Sequence, residues 1–473
     1  MSKLPHIKTD FPAWYQEVVY NAELVDQSPV RGAMVVRPYG YAIWEQIKGR
    51  LDERIKATGH QNASFPLLIP ESFLKREAKH VEGFAPEVAV VTHAGGKKLE
   101  EPLVVRPTSE TMVHYMFARW ISSWRDLPLK INQWANVVRW EMRPRAFLRT
   151  TEFQWQEGHT AHETRDEALD EVLTMLREYV DLAENYLAIP AVIGIKSPSE
   201  TFPGAEETHT FEALMQDGKA LQMGTSHLLS QSFAESFEMK FQDRNGELAY
   251  PYLTSWGVTT RLVGAVVMVH GDQKGLVLPP RVAPIQVVIV PIFAKGCDKE
   301  KLMAAVRDIE AALVAQNIRV LVDDDDQKTP GNKFYHWELR GVPVRLEIGP
   351  RDLEAGQAVF ATRIGEQKET VAIERVGERA PAVLDELHIL MYARARERRD
   401  AMWHKGEKLA DFGDKLEAEG GFYQTGWCGN GACEIQLKKH KATIRCLLPE
   451  REASHCFGCD TESAHEVLLA KAY

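Results

Sequence analysis

No run in this chain approaches the ~18 consecutive apolar residues of a membrane-spanning helix, so no membrane partner is expected of its 473 residues. The amino terminus, Met-Ser-Lys-Leu-Pro-His-Ile-Lys, is polar and lacks the apolar centre of a secretory leader. The expected location is cytoplasmic. Cysteine is sparse, six in all, which in a reducing compartment argues against a disulfide framework and for metal-binding or structural thiols. An excess of positive charge is missing too, the formal net charge being −10. General basicity therefore cannot hold a nucleic acid, and any such partner must meet local patches. Candidates are Arg394-Ala-Arg-Glu-Arg-Arg399 and Lys438-Lys-His-Lys441 with Arg445; taken alone, a solvated helix or loop face explains each more simply. There is no G-x-x-x-x-G-K-[ST] phosphate loop and no glycine-rich dinucleotide fingerprint after a strand. The common nucleotide folds are poorly supported.

What is present is an ordinary globular composition, 44% hydrophobic and 26% charged. At ~150 residues per domain the length suggests two to four domains. One stretch organises the rest: Val137-Val-Arg-Trp-Glu-Met-Arg-Pro-Arg-Ala-Phe-Leu-Arg-Thr-Thr-Glu-Phe-Gln-Trp-Gln-Glu-Gly-His159. It reads as two strands joined by a basic, proline-containing loop. Strand alternation places Val137, Arg139 and Glu141 on one face. On the return, Thr150, Glu152, Gln154 and Gln156 share a face while Phe153 and Trp155 point the other way. The expectation is a polar floor holding Arg139, Glu141 and Arg149, backed by aromatics. Guanidinium forks on a rigid sheet suit phosphate oxygens; an amphipathic hairpin with exposed charges is the alternative.

In chain order, residues 10–30 read as helical, 32–37 as a short strand stopped by Pro38, and Ile43, Ile47, Leu51 and Ile55 as the stripe of a long amphipathic helix ended by Gly59. Strands are expected at 65–70 and 88–92, with loops around 83–87 and 95–96. A further strand breaks at Pro107 into a helix beginning near Thr108. There Thr108 and Glu110 either cap the helix or face a cationic small molecule. A helix over 165–187, strands at 190–195, 211–215 and 220–223, and a helix from about residue 228 follow. Residues 249–269 read as mainly strand, including the apolar run 263–269. Arg261 is a lone charge among the residues 249–269 and needs an anionic partner from protein or ligand. Prolines 279, 280 and 284 mark a boundary. Beyond them strands alternate with helices, the pattern of a small α/β domain with a mixed sheet, ending in a long helix from residue 384. Its acidic run, 323–326, reads as a loop.

The last segment carries Cys428-x4-Cys433 and Cys456-x2-Cys459. Four thiolates on glycine-containing turns can close a tetrahedral zinc site, and four unrelated core cysteines is the poorer account. Such a closed site is structural. Cys297 and Cys446 are left as ordinary buried thiols.

Three separated elements each place an arginine at a strand: Arg139, Arg149 and Arg261. The order of segments resembles the class II aminoacyl-tRNA synthetases. Within them Arg106-Pro-Thr-Ser-Glu110, Val138-Arg-Trp-Glu141, Phe147-Leu-Arg-Thr150, Trp155-Gln-Glu-Gly-His159, Gly224-Thr-Ser-His227, Trp256-Gly-Val-Thr-Thr-Arg261 and His270-Gly-Asp272 are together similar to the prolyl-tRNA synthetase family. The type resembled is that of archaea, eukaryotes and some bacteria, with a four-cysteine tail and a final Lys471-Ala-Tyr473. Between His159 and Gln222 there is no room for the large editing insertion of the other bacterial type.

The resemblance implies an α/β multidomain fold: a class II antiparallel-sheet catalytic domain over 1–282, an α/β anticodon-binding domain over 283–385, and a zinc-binding α+β domain over 386–473. It implies ATP with Mg2+, L-proline and tRNA(Pro) as partners, structural Zn2+ on Cys428, Cys433, Cys456 and Cys459, and a homodimer formed around residues 30–60. Thr108 and Glu110 would hold the proline imino group, Arg139 would bridge the prolyl carboxylate and the α-phosphate, and His227 would line the proline pocket. Glu141, Arg149 and Thr150 would contact ATP. Gln222, Thr225 and Thr259 would lie near ribose, adenine or magnesium, and Arg261 would hold the γ-phosphate. Glu338, Arg345 and Lys368 become candidates for reading anticodon guanines, with exposed surface residues as the plain alternative. A sister synthetase for threonine, serine or glycine, and a non-catalytic tRNA-binding protein of the same fold, stay open on the sequence.

Overall fold

The computed structural model describes residues 4–76, 88–294, 296–365 and 368–473; the expected loop at 83–87 lies outside them. An eleven-stranded sheet is the spine of the molecule. From one edge it runs Gln61–Asn62, Leu129–Val138, Glu152–His162, Tyr252–Thr259, Ala220–Ser230, Glu207–Leu214 and Val192–Ile195, antiparallel after the first pair. Alternation sorts its side chains into two faces. Met223, Trp256 and Val258 join Phe211 in the main core under the helices Pro38–Ala57, Arg165–Asp181 and Arg261–His270. The opposite face carries Gln222, Thr225, His227 and Thr259, and it is open to a cleft. Gly158 is needed on the packed side, because a Cβ there would penetrate the Trp256 ring.

A second, five-stranded sheet follows the proline-marked boundary. Val320–Val322, Val287–Pro291 and Val344–Ile348 are parallel, and Gln357–Thr362 and Lys368–Ala372 continue the sheet antiparallel. The helices Lys299–Val314 and Val376–Ala401 cover one face, and Trp337 of the Pro330–Leu339 helix packs on the other. The carboxy-terminal strands Ala442–Leu448, His465–Lys471, Phe422–Trp427 and Trp403–Lys405 extend the first sheet rather than forming their own, joining it where Leu447 pairs with Ile195.

Several expectations are corrected. The first helix stops at Asn21, and Val25–Gln27 is already a strand paired with Met34–Val36. The strand Ala220–Ser230 runs through residue 228, and only the short Ser232–Ser236 is helical there. Residues 263–269 are helix, not strand. Every residue from Leu262 to Val269 is buried, and a helix apolar all round has no 3.6-residue stripe to reveal it. The long helix begins at Val376 and passes through Pro381, so it also spans residue 385. The Arg165–Asp181 helix continues as a π turn, Leu182–Tyr186. Cys446 is buried as expected, but Cys297 is only half-buried. Arg445 and Arg398 leave the proposed basic patches: Arg445 is buried in an ion pair with Glu212, and Arg398 donates to the Val269 carbonyl.

Candidate active site

A cleft of about 380 Å³ opens on the polar face of the large sheet. All the catalytic-domain residues singled out from sequence line it: Thr108, Glu110, Arg139, Glu141, Arg149, Thr150, Gln222, Thr225, His227, Thr259 and Arg261. The parity expected for the return strand is reversed, however. Phe153 and Trp155 themselves line the cleft, whereas Gln156 faces away and pairs with Tyr179 at 2.5 Å. The Arg139 guanidinium explains the aromatic wall, lying 5.4 Å from the Trp155 ring centroid and 5.7 Å from that of Phe153. Cation–π attraction of this kind leaves the guanidinium edge available for hydrogen bonding.

At one end, three arginines converge. Arg139 Nε donates to the Pro107 carbonyl (2.9 Å), and Arg149 Nε pairs with Glu141 Oε2 (2.9 Å). Arg261, first residue of its helix, donates through Nε to the Leu148 carbonyl (3.2 Å) and through a terminal nitrogen to the Gln222 carbonyl (3.1 Å). Its own backbone N–H is accepted by Thr259 Oγ1 (3.0 Å). Burial, followed by repulsion from Arg139 and Arg149, lowers the Arg261 guanidinium to about 10, leaving it charged at neutral pH. Placing like charges in one half-buried cleft is unfavourable unless an anion enters.

At the other end two buried carboxylates, Glu110 and Glu157, stand among neutral groups and the histidines His159 and His227. Glu110 is buried at the start of the Glu110–Trp120 helix and accepts a hydrogen bond from the Thr108 hydroxyl. The His227 ring is held between the hydroxyls of Thr208 (3.0 Å) and Thr225 (2.9 Å), with Phe202 against it at 4.5 Å. Sequence reasoning quoted Glu157 and His159 within a motif and gave them no role. They form the floor here. Glu157 accepts from Ser109 Oγ (2.5 Å) and Gln133 Nε2 (2.7 Å) and pairs with His159 Nε2 at 3.1 Å. Burial opposes its ionisation, but the bond to and charge of His159, then Ser109 and Gln133, hold the carboxyl below its ordinary range. His159 is pushed up for the reciprocal reason: burial opposes its charge, and Glu157 followed by Glu110 outweighs burial. An acid two residues before a histidine within the motif was the available signal, although the parity read from sequence turned both away from the polar floor; Phe202 and Thr208 had none, since only tertiary packing brings them in.

Elsewhere, Glu338, Arg345 and Lys368 line one cleft of about 170 Å³ in the second domain, with Lys274, Trp337 and Arg363. Arg345 pairs with Glu347 (2.8 Å) and lies 4.0 Å from the Phe334 ring centroid, Lys368 pairs with Glu347 (3.0 Å), and Lys274 pairs with Glu338 (3.1 Å). The sulfurs of Cys428, Cys433, Cys456 and Cys459 all lie within 4.8 Å of one another. Cys428 is 3.8 Å from Cys433 and 3.7 Å from Cys459, close to the ~3.8 Å edge of a tetrahedron with ~2.3 Å zinc–sulfur bonds. The final residue, Tyr473, donates from its hydroxyl to Asp217 (2.7 Å).

Three family models match in succession: the tRNA synthetase class II core domain (G, H, P, S and T) over residues 92–270, an anticodon binding domain over 286–381, and the prolyl-tRNA synthetase C-terminal domain over 409–473. Among curated relatives, a proline–tRNA ligase 2 of Clostridioides difficile (strain 630) is 51% identical across 100% of this chain and 98% of its own. A proline–tRNA ligase of Acetoanaerobium sticklandii is 51% identical across 99% and 98%. A crystal structure of prolyl-tRNA synthetase from Cryptosporidium parvum, complexed with halofuginone and AMPPNP, superposes with a TM-score of 0.95 at 39% identity, covering 100% of this chain and 99% of that one. These likenesses settle the choice among the sister synthetases. The chain belongs to the prolyl-tRNA synthetase family, and its activity is that of a proline–tRNA ligase.

Proposed function

We propose the following assignment of roles within that activity. ATP lies with its phosphates against Arg139, Arg149 and Arg261, and proline lies at the Thr108, Glu110 and His227 end. The carrying observation is the division of one cleft into a three-guanidinium end and a carboxylate-bearing end. A secondary ammonium is favoured beside Glu110, and a polyanion beside the arginines. Arg139 stands between the two and would touch both the prolyl carboxylate and the α-phosphate. The carboxylate is already ionised at neutral pH, so the first step needs no general base. Its oxygen attacks the α-phosphorus in line, the bond to the bridging oxygen breaks, and prolyl-adenylate and pyrophosphate result. Arg139 stabilises charge where it develops, and positioning supplies much of the remaining acceleration. The 3′-terminal hydroxyl of tRNA(Pro) then attacks the activated carbonyl and AMP leaves.

Glu141, Arg149 and Thr150 hold the nucleotide in this scheme. Magnesium arriving with ATP would neutralise phosphate charge, and Gln222, Thr225 and Thr259 would lie near ribose, adenine or that ion. Glu338, Arg345 and Lys368 read the anticodon; one shared cleft supports that role. Zn2+ on Cys428, Cys433, Cys456 and Cys459 ties the tail together, supported by the sulfur spacing. The division at 282/283 is supported by the core of the five-stranded sheet, and both divisions by the three successive family matches; the carboxy-terminal strands share a sheet and a core cluster with the catalytic part, and the Val376–Ala401 helix spans residue 385. A homodimer is supported by exposed Val30, Val35, Trp140 and Met142. Their two segments are drawn together by the Thr151 N–H bond to the Gly32 carbonyl. Among the described residues no helix is long and apolar enough to cross a membrane, and the cytoplasm is the proposed location.

Proline-dependent ATP–pyrophosphate exchange tests the site, and exchange driven by threonine but not by proline would overturn it. Elemental analysis of the purified protein is expected to find one zinc per chain. Retention of that metal by Cys428→Ser would refute the cysteine site.

A further inference from the structure

The turn after the Arg261–His270 helix belongs to the catalytic domain, yet it reaches into the second cleft. Lys274 lines that cleft and donates to Glu338 (3.1 Å). Two residues earlier, Asp272 receives a two-pronged bond from Arg363, at 2.6 and 2.7 Å. Arg363 is only 3% exposed along its side chain, and its Nε also donates to the Glu338 carbonyl (2.9 Å). Asp272, Arg363, Glu338 and Lys274 thus form a closed ring across the boundary between domains. The turn itself is held rigidly. Trp14 Nε1 donates to the Asp272 carbonyl (2.9 Å), Lys274 N–H to Asp272 Oδ1 (2.8 Å), and Leu276 N–H to the Leu339 carbonyl (2.9 Å). At the far end of the same helix, fixed by an unbroken buried run, stands Arg261 in the phosphate end of the active cleft.

We propose that this helix and turn couple the two clefts: a nucleobase engaging Glu338, Arg345 and Lys368 shifts the Asp272–Arg363 ring, and the Arg261–His270 helix carries that shift to the γ-phosphate site. Asp272 and Arg363 are positioning residues in this device, not catalytic ones. The inference rests on the anticodon assignment of the second cleft. The physical requirement is that the ligand binds one arrangement of the ring better than the other. A short, stiff element touching both sites is the kind of body that can carry such a preference. Linkage makes the effect reciprocal, so ATP must also alter affinity for the anticodon.

An RNA stem-loop carrying only the proline anticodon tests this, because it fills the second cleft without presenting an acceptor end. In the full-length protein it is expected to change the KM for ATP in proline-dependent exchange by about fivefold or more. In Asp272→Asn that change should disappear, while exchange without RNA and stem-loop affinity stay at the parent level. Arg363→Lys, which keeps the charge but not the planar fork, is the second variant and should also lose the effect. An unresponsive parent, or an undiminished response in both variants, overturns the coupling. Equal stem-loop affinity for the parent and Arg345→Ala overturns the anticodon assignment instead. Affinity lost in Arg345→Ala with an indifferent parent leaves the cleft standing and removes the coupling alone.

Discussion

Arg139 shows how far single residues can be read. Its place at the end of a strand, two residues before a glutamate, made it a candidate for phosphate binding, with an exposed charged hairpin as the alternative, and the cleft contains it. Its surroundings were misjudged, because the loop over 139–151 breaks the alternation that was used to assign faces. The aromatic rings lie on the arginine's side, and the glutamines do not. Arg139→Ala is expected to abolish proline-dependent exchange. A loss of ~10²–10³-fold is typical when one donor to developing charge is removed, and a second role at the substrate carboxylate deepens it. Binding of tRNA, measured by filter retention, should be nearly unchanged, since the variant alters neither the cleft proposed for the anticodon nor the carboxy-terminal part. Near-normal exchange would remove Arg139 from the reaction. Glu157 and His159 mark the opposite limit. Their pairing is a buried charge relationship that only the fold reveals, although both sit in a motif visible in the sequence.

Secondary elements were legible where one face met water. The stripe Ile43, Ile47, Leu51 and Ile55 is buried along the Pro38–Ala57 helix as expected. Elements buried on every side were not: residues 263–269 contain four valines, suit a strand by propensity, and fold as a helix because sheet and helices enclose them. The junction of the carboxy-terminal strands with the catalytic sheet was also invisible, since one backbone pairing, Leu447 with Ile195, makes it. Side chains reinforce that pairing. Glu212, fully buried, meets Lys196 at 2.8 Å and a two-pronged Arg445 at 2.9 Å, and Lys196 also donates to the Arg445 carbonyl (2.9 Å). Burial opposes ionisation of Glu212, and Arg445 followed by Lys196 holds its carboxyl below the ordinary range. Removing the single carboxylate leaves two buried cations side by side without compensation. Glu212→Gln should therefore cost about 3–5 kcal/mol of stability, read as a lowered urea midpoint. Glu212→Gln with Arg445→Met takes away one of the two uncompensated cations and should recover part of it; a single variant as stable as the parent would mean that the triad contributes nothing at this join.

At the scale of the whole molecule, the second, five-stranded sheet was legible from the prolines before it and from its alternating strands and helices, but its contacts with the first sheet were not, nor were the buried histidines that shape the response to acid. His270 is buried at the end of the Arg261–His270 helix and bonds to the Leu187 carbonyl (2.8 Å). His388, on the Val376–Ala401 helix, is buried as well. Burial, outweighing the Leu187 carbonyl, lowers His270 to about 3. Burial and then Arg281 lower His388 to about 4. Within the catalytic part, burial lowers His162 to about 4 against the nearby Glu171 charge. A histidine whose folded value lies below its unfolded 6.5 gives full stability above pH 6.5, because neither state is then protonated. As pH falls, the unfolded chain takes up the proton first, and each group withdraws up to ~1.4 kcal/mol per pH unit until its folded value is reached. Glu171 follows later. Burial opposes its ionisation, but His60 and Lys130 hold it at about 2 against an ordinary 4.5, so its contribution is intact above pH 4.5 and lost only below. The melting temperature is thus expected to begin falling near pH 6.5, well before any carboxylate titrates, and to steepen below pH 4.5. Differential scanning calorimetry in low-salt buffers across this range measures it. His270→Gln can still donate to the Leu187 carbonyl and carries no titrating proton, so it should flatten the descent between pH 6.5 and 4 while leaving the steeper branch in place. A variant whose melting curve tracks the parent through both branches would show that His270 titrates alike in the folded and unfolded chain.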